Sequence, residues 1–156
     1  MSIEREKNEE KINELLDEYL NAIASFNQQF ARILDVNITD LHCLEILLNK
    51  DTGVAPSYLA KRLNLTTGSV TAMLDRLEKI EYVERSPHPS DRRKTVVQAT
   101  LKVAKLAFKV TTPTALVGKM EFLDGYSDDE LNTIVNFLKR ASMATERQTA
   151  RLSKPL

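Results

Sequence analysis

Two short apolar periodicities, separated by only a few residues, constrain the fold more than any other feature of this chain. The first places Leu59, Ala60 and Leu63 on one face of a helix. Pro56 suits the first turn of that helix, because the N–H that proline lacks would have no partner there. The second periodicity also has helical spacing and comprises Val70, Met73, Leu74 and Leu77. Two helices this close in sequence are expected to pack against each other across a tight turn.

The segment between the two helices has the residues that such a turn requires. Asn64 tolerates the left-handed backbone conformation, Leu65 can fill the junction, and Thr66 can cap the second helix. This combination is typical of a helix-turn-helix. It predicts a recognition helix over residues 66–80, and the alternative is an ordinary pair of packed helices.

The positions of the second helix that lie off its apolar stripe suit contact with DNA. The predicted contacts are Thr66, Thr67, Gly68, Ser69, Thr71 and Arg76. Small residues at a helix start allow close approach, and a helix N-terminus favours the anionic DNA backbone. Arg76 can reach a guanine edge or a phosphate. Because DNA would repel the carboxylate of Asp75, we expect Asp75 to orient Arg76 instead.

A basic β-hairpin is predicted directly after these helices. Residues 82–85 and 95–99 are short, strand-like runs, and Pro87, Pro89 and Ser90 interrupt the chain between them. The predicted hairpin tip carries Asp91, Arg92, Arg93 and Lys94. The three cations are predicted DNA contacts of a wing, and Asp91 is predicted to brace an arginine or the turn. A solvated charge run is the alternative interpretation.

With these motifs the chain resembles the MarR family of bacterial winged-helix regulators. The matching segments are residues 59–71, 74–78 (Leu-Asp-Arg-Leu-Glu), 82–85 and 91–93 (Asp-Arg-Arg). The resemblance implies that Arg93 enters the minor groove and that Arg92 contacts the backbone. It also implies a small effector, often aromatic or phenolic, although no motif transfers the residues of its pocket. The chain departs from the family at Glu81, where Gly is usual.

The helices on either side of this region are predicted to form a dimer. Apolar residues repeat at helical spacing through residues 12–34 and again through 131–141. A small winged helix cannot cover that much apolar surface, so a homodimer is expected. A two-fold axis between the two protomers would place their recognition helices in successive major grooves of a palindromic site. The alternative is a monomer in which the terminal helices close over one core.

The predicted fold class is therefore mainly α with a small β-hairpin, a winged helix-turn-helix with N- and C-terminal dimerisation helices. We expect one domain over residues 1–156, in keeping with its length. Residues 37–100 or so form the DNA-binding lobe, and residues 3–34 and 101–150 form the dimerisation helices. Thr39 is expected to cap a helix that runs through Leu41, Leu44, Ile46, Leu47 and Leu48.

The distribution of charge supports a DNA-facing middle. The net charge of the chain is zero, which by itself argues against a nucleic-acid partner. However, residues 58–105 contain ten Lys and Arg against five Asp and Glu, whereas residues 1–20 contain three against seven. A basic centre and an acidic start fit one DNA-facing surface and a remote face.

Other classes of protein find little support in the sequence. No run approaches the about 18 apolar residues of a membrane span, and the charged start lacks a signal peptide, so a cytoplasmic protein without a membrane partner is expected. His42 and His88 have no partners at metal-ligand spacing. No nucleophile–base pair or phosphate loop indicates an enzyme, so neither catalytic residues nor a cofactor are expected.

The predicted function is sequence-specific DNA binding by a homodimeric transcriptional regulator. We expect a repressor that a small effector releases from its operator. Two alternatives stay open. One is a winged-helix module that binds protein rather than DNA. The other is a regulator that senses oxidants through Cys43, but this cysteine lies in an apolar helical stretch without nearby Lys or Arg, as an inert buried thiol would.

Overall fold

The computed structural model describes residues 3–121 and 123–152, and only the backbone of residues 112–121. In chain order the elements are α1 (Ile3–Leu34), α2 (Ile38–Leu48), α3 (Pro56–Leu63), α4 (Thr67–Lys79), β1 (Val83–His88), β2 (Asp91–Ala99), α5 (Leu101–Glu121) and α6 (Asp128–Leu152). This confirms the predicted fold class of a mainly helical chain with one antiparallel hairpin. The chain divides into two compact units, Met1–Val110 and Thr111–Leu156.

The turn between α3 and α4 has the conformation that its residues predict. Asn64 ends α3 in the left-handed region, with φ 53° and ψ 47°. The N–H of Leu65 then donates to the carbonyl of Ala60 at 2.9 Å, and Leu65 packs partly buried against the core. Thr66 is the N-cap of α4, where its hydroxyl oxygen accepts the N–H of Ser69 at 3.1 Å. The helix-turn-helix prediction is thus confirmed in its local geometry.

The core of the first unit lies beneath α4. Helix α4 buries four apolar residues, namely Val70, Met73, Leu74 and Leu77. They join buried side chains from α1, α2, α3, α5 and the hairpin in one cluster. Tyr82 ties the hairpin to α1 by donating its buried hydroxyl to the carbonyl of Leu34 at 3.1 Å. The position of α4 is therefore fixed by packing along its whole inner face.

A short bridge adds a third backbone segment to the hairpin. The N–H and carbonyl of Val54 exchange hydrogen bonds with Val97 at 2.9 and 2.8 Å. Gly53 permits this approach, because a Cβ added there would lie 3.0 Å from Cγ2 of Val96. The base of the hairpin is thereby held to the segment that precedes α3.

Helix α2 begins two residues earlier than expected. Its N-cap is Asn37, whose side-chain oxygen accepts the N–H of Asp40 at 2.8 Å. The prediction that Thr39 caps this helix is therefore wrong: an asparagine two residues upstream has the extended backbone that an N-cap needs. Asp40 consequently lies in the first turn of α2, where its side chain is buried.

Candidate nucleic-acid interface

The first turns of α4 present a row of small, exposed side chains. Thr67, Gly68, Ser69 and Thr71 all face solvent. The hydroxyl groups of Thr66 and Ser69 lie 2.9 Å apart and share a hydrogen bond. Thr71 donates its hydroxyl proton to the carbonyl of Thr67 at 3.0 Å, so the Thr71 oxygen remains available as an acceptor for an incoming donor.

Gly68 has no packing partner that would explain the lack of a side chain. A Cβ built at this position meets no heavy atom within 4 Å. Gly68 is the second residue of α4, and alanine would favour the helical conformation more than glycine does. The open space outside Gly68 lets another molecule approach the helix backbone closely.

Arg76 is held by a carboxylate from another helix. Its Nη2 donates to Oδ1 of Asp40 at 2.7 Å, and its Nε donates to Oδ2 at 3.3 Å. The side chain of Asp40 is 5% exposed, whereas that of Arg76 is 53% exposed. Hydrogen bonding and the charge of Asp40 both raise the pKa of Arg76, so this guanidinium is a permanent cation at the surface.

The expected pairing of Asp75 with Arg76 is wrong. Successive residues of a helix point in different directions, and Asp75 instead accepts a hydrogen bond from Nη2 of Arg85 at 2.7 Å. Arg76 turns towards Asp40 of α2, which no sequence-local pattern indicated. Asp75 therefore supports the hairpin rather than the arginine beside it.

Arg85 clamps the first hairpin strand onto α4, a role that sequence reasoning missed. Its guanidinium donates to both Asp75 and Glu78 of α4 and approaches the carbonyl of Thr71 at 3.5 Å. Partial burial lowers the pKa of Arg85, but the hydrogen bonds and charges of the two carboxylates outweigh burial and raise it. The seven- and ten-residue separations from Glu78 and Asp75 are not a helical spacing, so only the fold reveals the clamp.

The basic residues of the hairpin lie in a bulge rather than at the turn itself. The turn consists of Pro89 and Ser90, and β2 begins at Asp91. His88 pairs with Asp91, but the preceding Pro87 pairs with Thr95. Three residues of β2 are therefore extra, and we call them the wing bulge: Arg92, Arg93 and Lys94. All three are exposed, and the side chain of Arg93 is 93% exposed.

Asp91 braces the wing bulge by accepting hydrogen bonds and pairing with its cations, as predicted for a carboxylate at this position. Its Oδ1 accepts the backbone N–H of Arg93 at 3.2 Å and lies 3.4 Å from Nε of the same residue. Its Oδ2 lies 3.5 Å from Nζ of Lys94. On the opposite side of the turn, Nδ1 of His88 accepts the N–H of Ser90 at 3.2 Å. The histidine thus has a structural partner at the turn.

Taken together, the predicted contacts fall on two elements. Gly68, Arg76 and the hydroxyl groups lie on α4 or, for Thr66, at its N-cap, and the three other cations lie in the wing bulge. The clamp at Arg85 joins α4 to β1. Such a surface offers hydrogen-bonding groups on a rigid helix and positive charge on a projecting hairpin, which suits a ligand that is both polyanionic and rich in hydrogen-bonding edges.

The structure offers few other kinds of site. Among the described side chains, those of residues 3–111 and 123–152, no group of three or more His, Cys, Asp or Glu could hold a metal ion. None of the helices in the described part of the chain is long and apolar enough to span a membrane. Cys43 is fully buried, and burial, with a smaller contribution from the charge of Asp40, raises the pKa of its thiol to about 12.

Comparison with known proteins places this geometry among winged-helix regulators. The model of the MarR family matches residues 36–95. The HTH-type transcriptional regulator YcgE of Bacillus subtilis, described as uncharacterized, is 35% identical over 129 residues, or 83% of this chain and 82% of that protein.

Among solved structures, Streptococcus pneumoniae FabT in complex with DNA has a TM-score of 0.66 and 25% identity, over 89% of this chain and 98% of that one. CouR from Rhodococcus jostii RHA1, bound to p-coumaroyl-CoA, shares the fold with a TM-score of 0.59 and 21% identity over 82% and 89% of the two chains.

Proposed function

Because the chain belongs to the MarR family of transcriptional regulators, we propose that it is a homodimeric repressor that binds a palindromic operator. In this proposal α4 enters the major groove and the wing bulge reaches the flanking minor groove or backbone. A small effector releases the protein from DNA. The protein acts in the cytoplasm as a regulator and not as an enzyme.

The observation that carries the DNA-binding proposal is the wing bulge beside the helix-turn-helix. Three cations extend from the hairpin within a three-residue bulge, although a purely structural hairpin has no need of the extra residues. Phosphates attract such cations without regard to sequence, whereas the small polar groups of α4 can contact base edges. FabT, which is 25% identical, is known in complex with DNA.

The dimer proposal rests on the apolar surface of α1. Only Phe30, Ala31 and Leu34 of its 32 residues are buried. Large apolar side chains remain exposed over much of the rest: Ile12, Leu15, Tyr19, Leu20, Ile23 and Phe26. The second unit has a similar feature, because none of the described side chains of α6 is buried. Contiguous apolar surface of this kind indicates contact with another chain.

Selection of genomic or random DNA fragments by the purified full chain, followed by sequencing, tests the DNA-binding proposal. We expect one enriched motif with two-fold symmetry and half-sites about one helical turn apart. The matched control is the triple variant Arg92→Ala, Arg93→Ala, Lys94→Ala, which should lose most of the enrichment but keep its circular dichroism spectrum. Selection without any enriched motif would contradict the proposal and favour the protein-interaction alternative.

Sedimentation of the full chain tests the dimer. We expect a dimer at micromolar concentration, and we expect deletion of residues 1–20 to lower both solubility and DNA affinity. A stable monomer of the intact chain that still binds the selected motif tightly would contradict the dimer proposal alone.

The effector proposal is tested on the same operator complex. We propose a small aromatic or phenolic anion, as the family resemblance implies, and CouR of the same fold is known with p-coumaroyl-CoA bound. Titrating benzoate, 4-hydroxybenzoate and p-coumarate against the preformed complex should release DNA for at least one of them. Cyclohexane carboxylate is the control for a general anion effect.

The structure argues against oxidant sensing through Cys43. Raising the thiol pKa from 9.0 to about 12 lowers the thiolate fraction near neutral pH by about a thousandfold. Iodoacetamide should therefore modify the native protein far more slowly than the urea-unfolded protein. Rapid native modification, with loss of DNA binding, would restore the thiol-sensing alternative.

A further inference from the structure

We infer that Asp40 is a specificity-determining positioning residue, which holds Arg76 so that it reads a base edge in preference to a phosphate. This inference rests on the proposed function, since it presumes that α4 contacts DNA. Asp40 lies in α2 and outside the helix-turn-helix, 36 residues before Arg76. It is the only buried charged residue in the described part of the chain.

The geometry fixes the orientation of the guanidinium. Asp40 engages one edge of the group, formed by Nε and Nη2, through bonds of 3.3 and 2.7 Å. Two parallel hydrogen bonds to a carboxylate set both the position and the plane of a guanidinium. The edge formed by Nη1 and the second proton of Nη2 is the one that remains for an outside acceptor, and a guanine presents two acceptors at matching spacing.

The carboxylate is buried, and its backbone is anchored at the start of α2. Asp40 is 4% exposed, and its backbone N–H is held by the capping oxygen of Asn37 at 2.8 Å. Its partner Arg76 is the half-exposed member of the pair. Arg76 therefore loses freedom before DNA arrives, which reduces the ordering cost of binding in one particular orientation.

The charge of Asp40 also changes what Arg76 recognises. A neighbouring carboxylate offsets most of the positive charge that a distant phosphate would experience, but it leaves the hydrogen-bond donors intact. The attraction to phosphate depends on charge and salt, whereas recognition of guanine depends on the geometry of the donors. Asp40 thus weakens the sequence-independent contribution of Arg76 and preserves the sequence-dependent one.

Two other cations lie near the Asp40–Arg76 pair, and one of them provides a control substitution. Arg32 and Lys79 line the same open cavity of about 580 Å³ as Asp40 and Arg76, together with Asp35. Lys79 lies at the last position of α4. Lys79→Gln therefore removes one positive charge near Arg76 and leaves the Asp40–Arg76 fork in place.

A double-mutant cycle tests the inference. Wild type, Asp40→Asn, Arg76→Ala and the double variant are titrated, over a range of salt, on the selected operator and on a scrambled duplex of equal length. We expect Arg76→Ala to reduce the operator-to-scrambled affinity ratio by roughly 5- to 150-fold per half-site. Asp40→Asn should reduce this ratio by a similar factor, while its affinity for the scrambled duplex stays equal or rises.

Two readouts distinguish a positioning role of Asp40 from a purely structural one. They are the salt dependence of DNA binding and the non-additivity of the two substitutions in the double variant. For Asp40→Asn, the slope of log affinity against log salt on scrambled DNA should steepen by up to about one unit per half-site. The double variant should match Arg76→Ala, because Asp40 acts only through that arginine. Lys79→Gln should instead lower the affinity for both duplexes by a similar factor.

Arg76→Lys keeps the test valid if Asp40→Asn unfolds below the assay temperature. Lysine retains the charge but lacks the planar fork, so the affinity ratio should fall while scrambled binding persists. Equal losses on both duplexes, or additive effects in the cycle, would overturn the inference. A wild-type protein that prefers no sequence would instead overturn the proposed function, so the two failures are distinguishable.

Discussion

Helix α4 is held by contacts with the core, with α2 and with β1, whereas the wing bulge is held almost entirely by contacts within its own turn. Four apolar residues anchor α4 to the core, Asp40 holds its Arg76, and Arg85 clamps its carboxylates to β1. The wing bulge has the brace of Asp91 and otherwise lies in solvent. Both elements carry proposed DNA contacts, yet they restrict those contacts to different degrees.

This difference in structural support indicates which part of the proposed DNA recognition each element performs. A side chain that is held in one orientation can discriminate between bases, because a wrong edge leaves its donors unpaired. An exposed arginine on a projecting hairpin adapts to the backbone and responds to the potential of a groove. We therefore expect α4 to determine the sequence preference and the wing bulge to contribute affinity and salt dependence.

The largest difference between the two elements is expected in stability. Leu74 is 1% exposed in the core, so Leu74→Ala should lower the free energy of unfolding by about 2–5 kcal/mol. Arg92→Ala removes an exposed side chain and should change it by less than about 0.5 kcal/mol. Urea denaturation of both variants measures the contrast. A similar loss for both would mean that the wing bulge has a structural role.

The next largest effect should appear in DNA binding by the wing bulge. Removing one cation that binds a phosphate should reduce the slope of log affinity against log salt by about one unit per half-site. Arg93→Ala should weaken binding most at operators with A·T-rich flanks, because a narrow minor groove concentrates negative potential. Arg92→Ala should weaken all flanks alike.

A salt titration on two operators that differ only in their flanks separates these two arginines. The assignment of Arg93 to the groove would be reversed if Arg92→Ala proved the flank-sensitive variant. If neither variant changed affinity or slope, the hairpin would not be a DNA-contacting wing.

Gly68 offers a smaller test of close approach to α4. Gly68→Ala meets no atom of the protomer within 4 Å, so its stability should be unchanged or slightly higher. A methyl group placed in a tight interface should weaken operator binding by about 1 kcal/mol or more. Gly53→Ala is the opposite control, because its Cβ would approach Val96 and should lower the melting temperature. Undiminished operator affinity of Gly68→Ala would place the first turn of α4 away from DNA.

The smallest effect concerns Glu81, which lies outside both elements. It adopts φ 62°, a region that disfavours residues with a side chain. Glu81→Gly removes an exposed ion pair with Lys102 but relieves this strain, so stability should rise by up to about 1 kcal/mol. Glu84→Gly in the regular part of β1 should destabilise instead, and neither should alter operator preference. Thermal unfolding measures both changes, and a lower melting temperature for Glu81→Gly would show that the ion pair with Lys102 matters more than the strain.

Much of the lobe was predictable because its signals are local. The spacing of apolar residues predicts α3 and α4, Asn64 predicts the left-handed turn, and Thr66 predicts the cap. Each depends on residues within one or two helical turns of each other, which is the range over which sequence patterns act. The prediction failed at the cap of α2 because Thr39 and Asn37 are both capable capping residues, and only the backbone conformation chooses between them.

The amino-acid sequence alone predicts the helix-turn-helix, the basic hairpin, the family and the candidate contacts. Three features become visible only in the fold: Asp40 holds Arg76, Arg85 clamps β1 to α4, and the three wing cations occupy a bulge. These are contacts between elements, and two charged side chains far apart in sequence carry no mark of their pairing. The partner of a surface arginine depends on which carboxylate the packing of the core brings within reach, and that packing is a property of the whole fold.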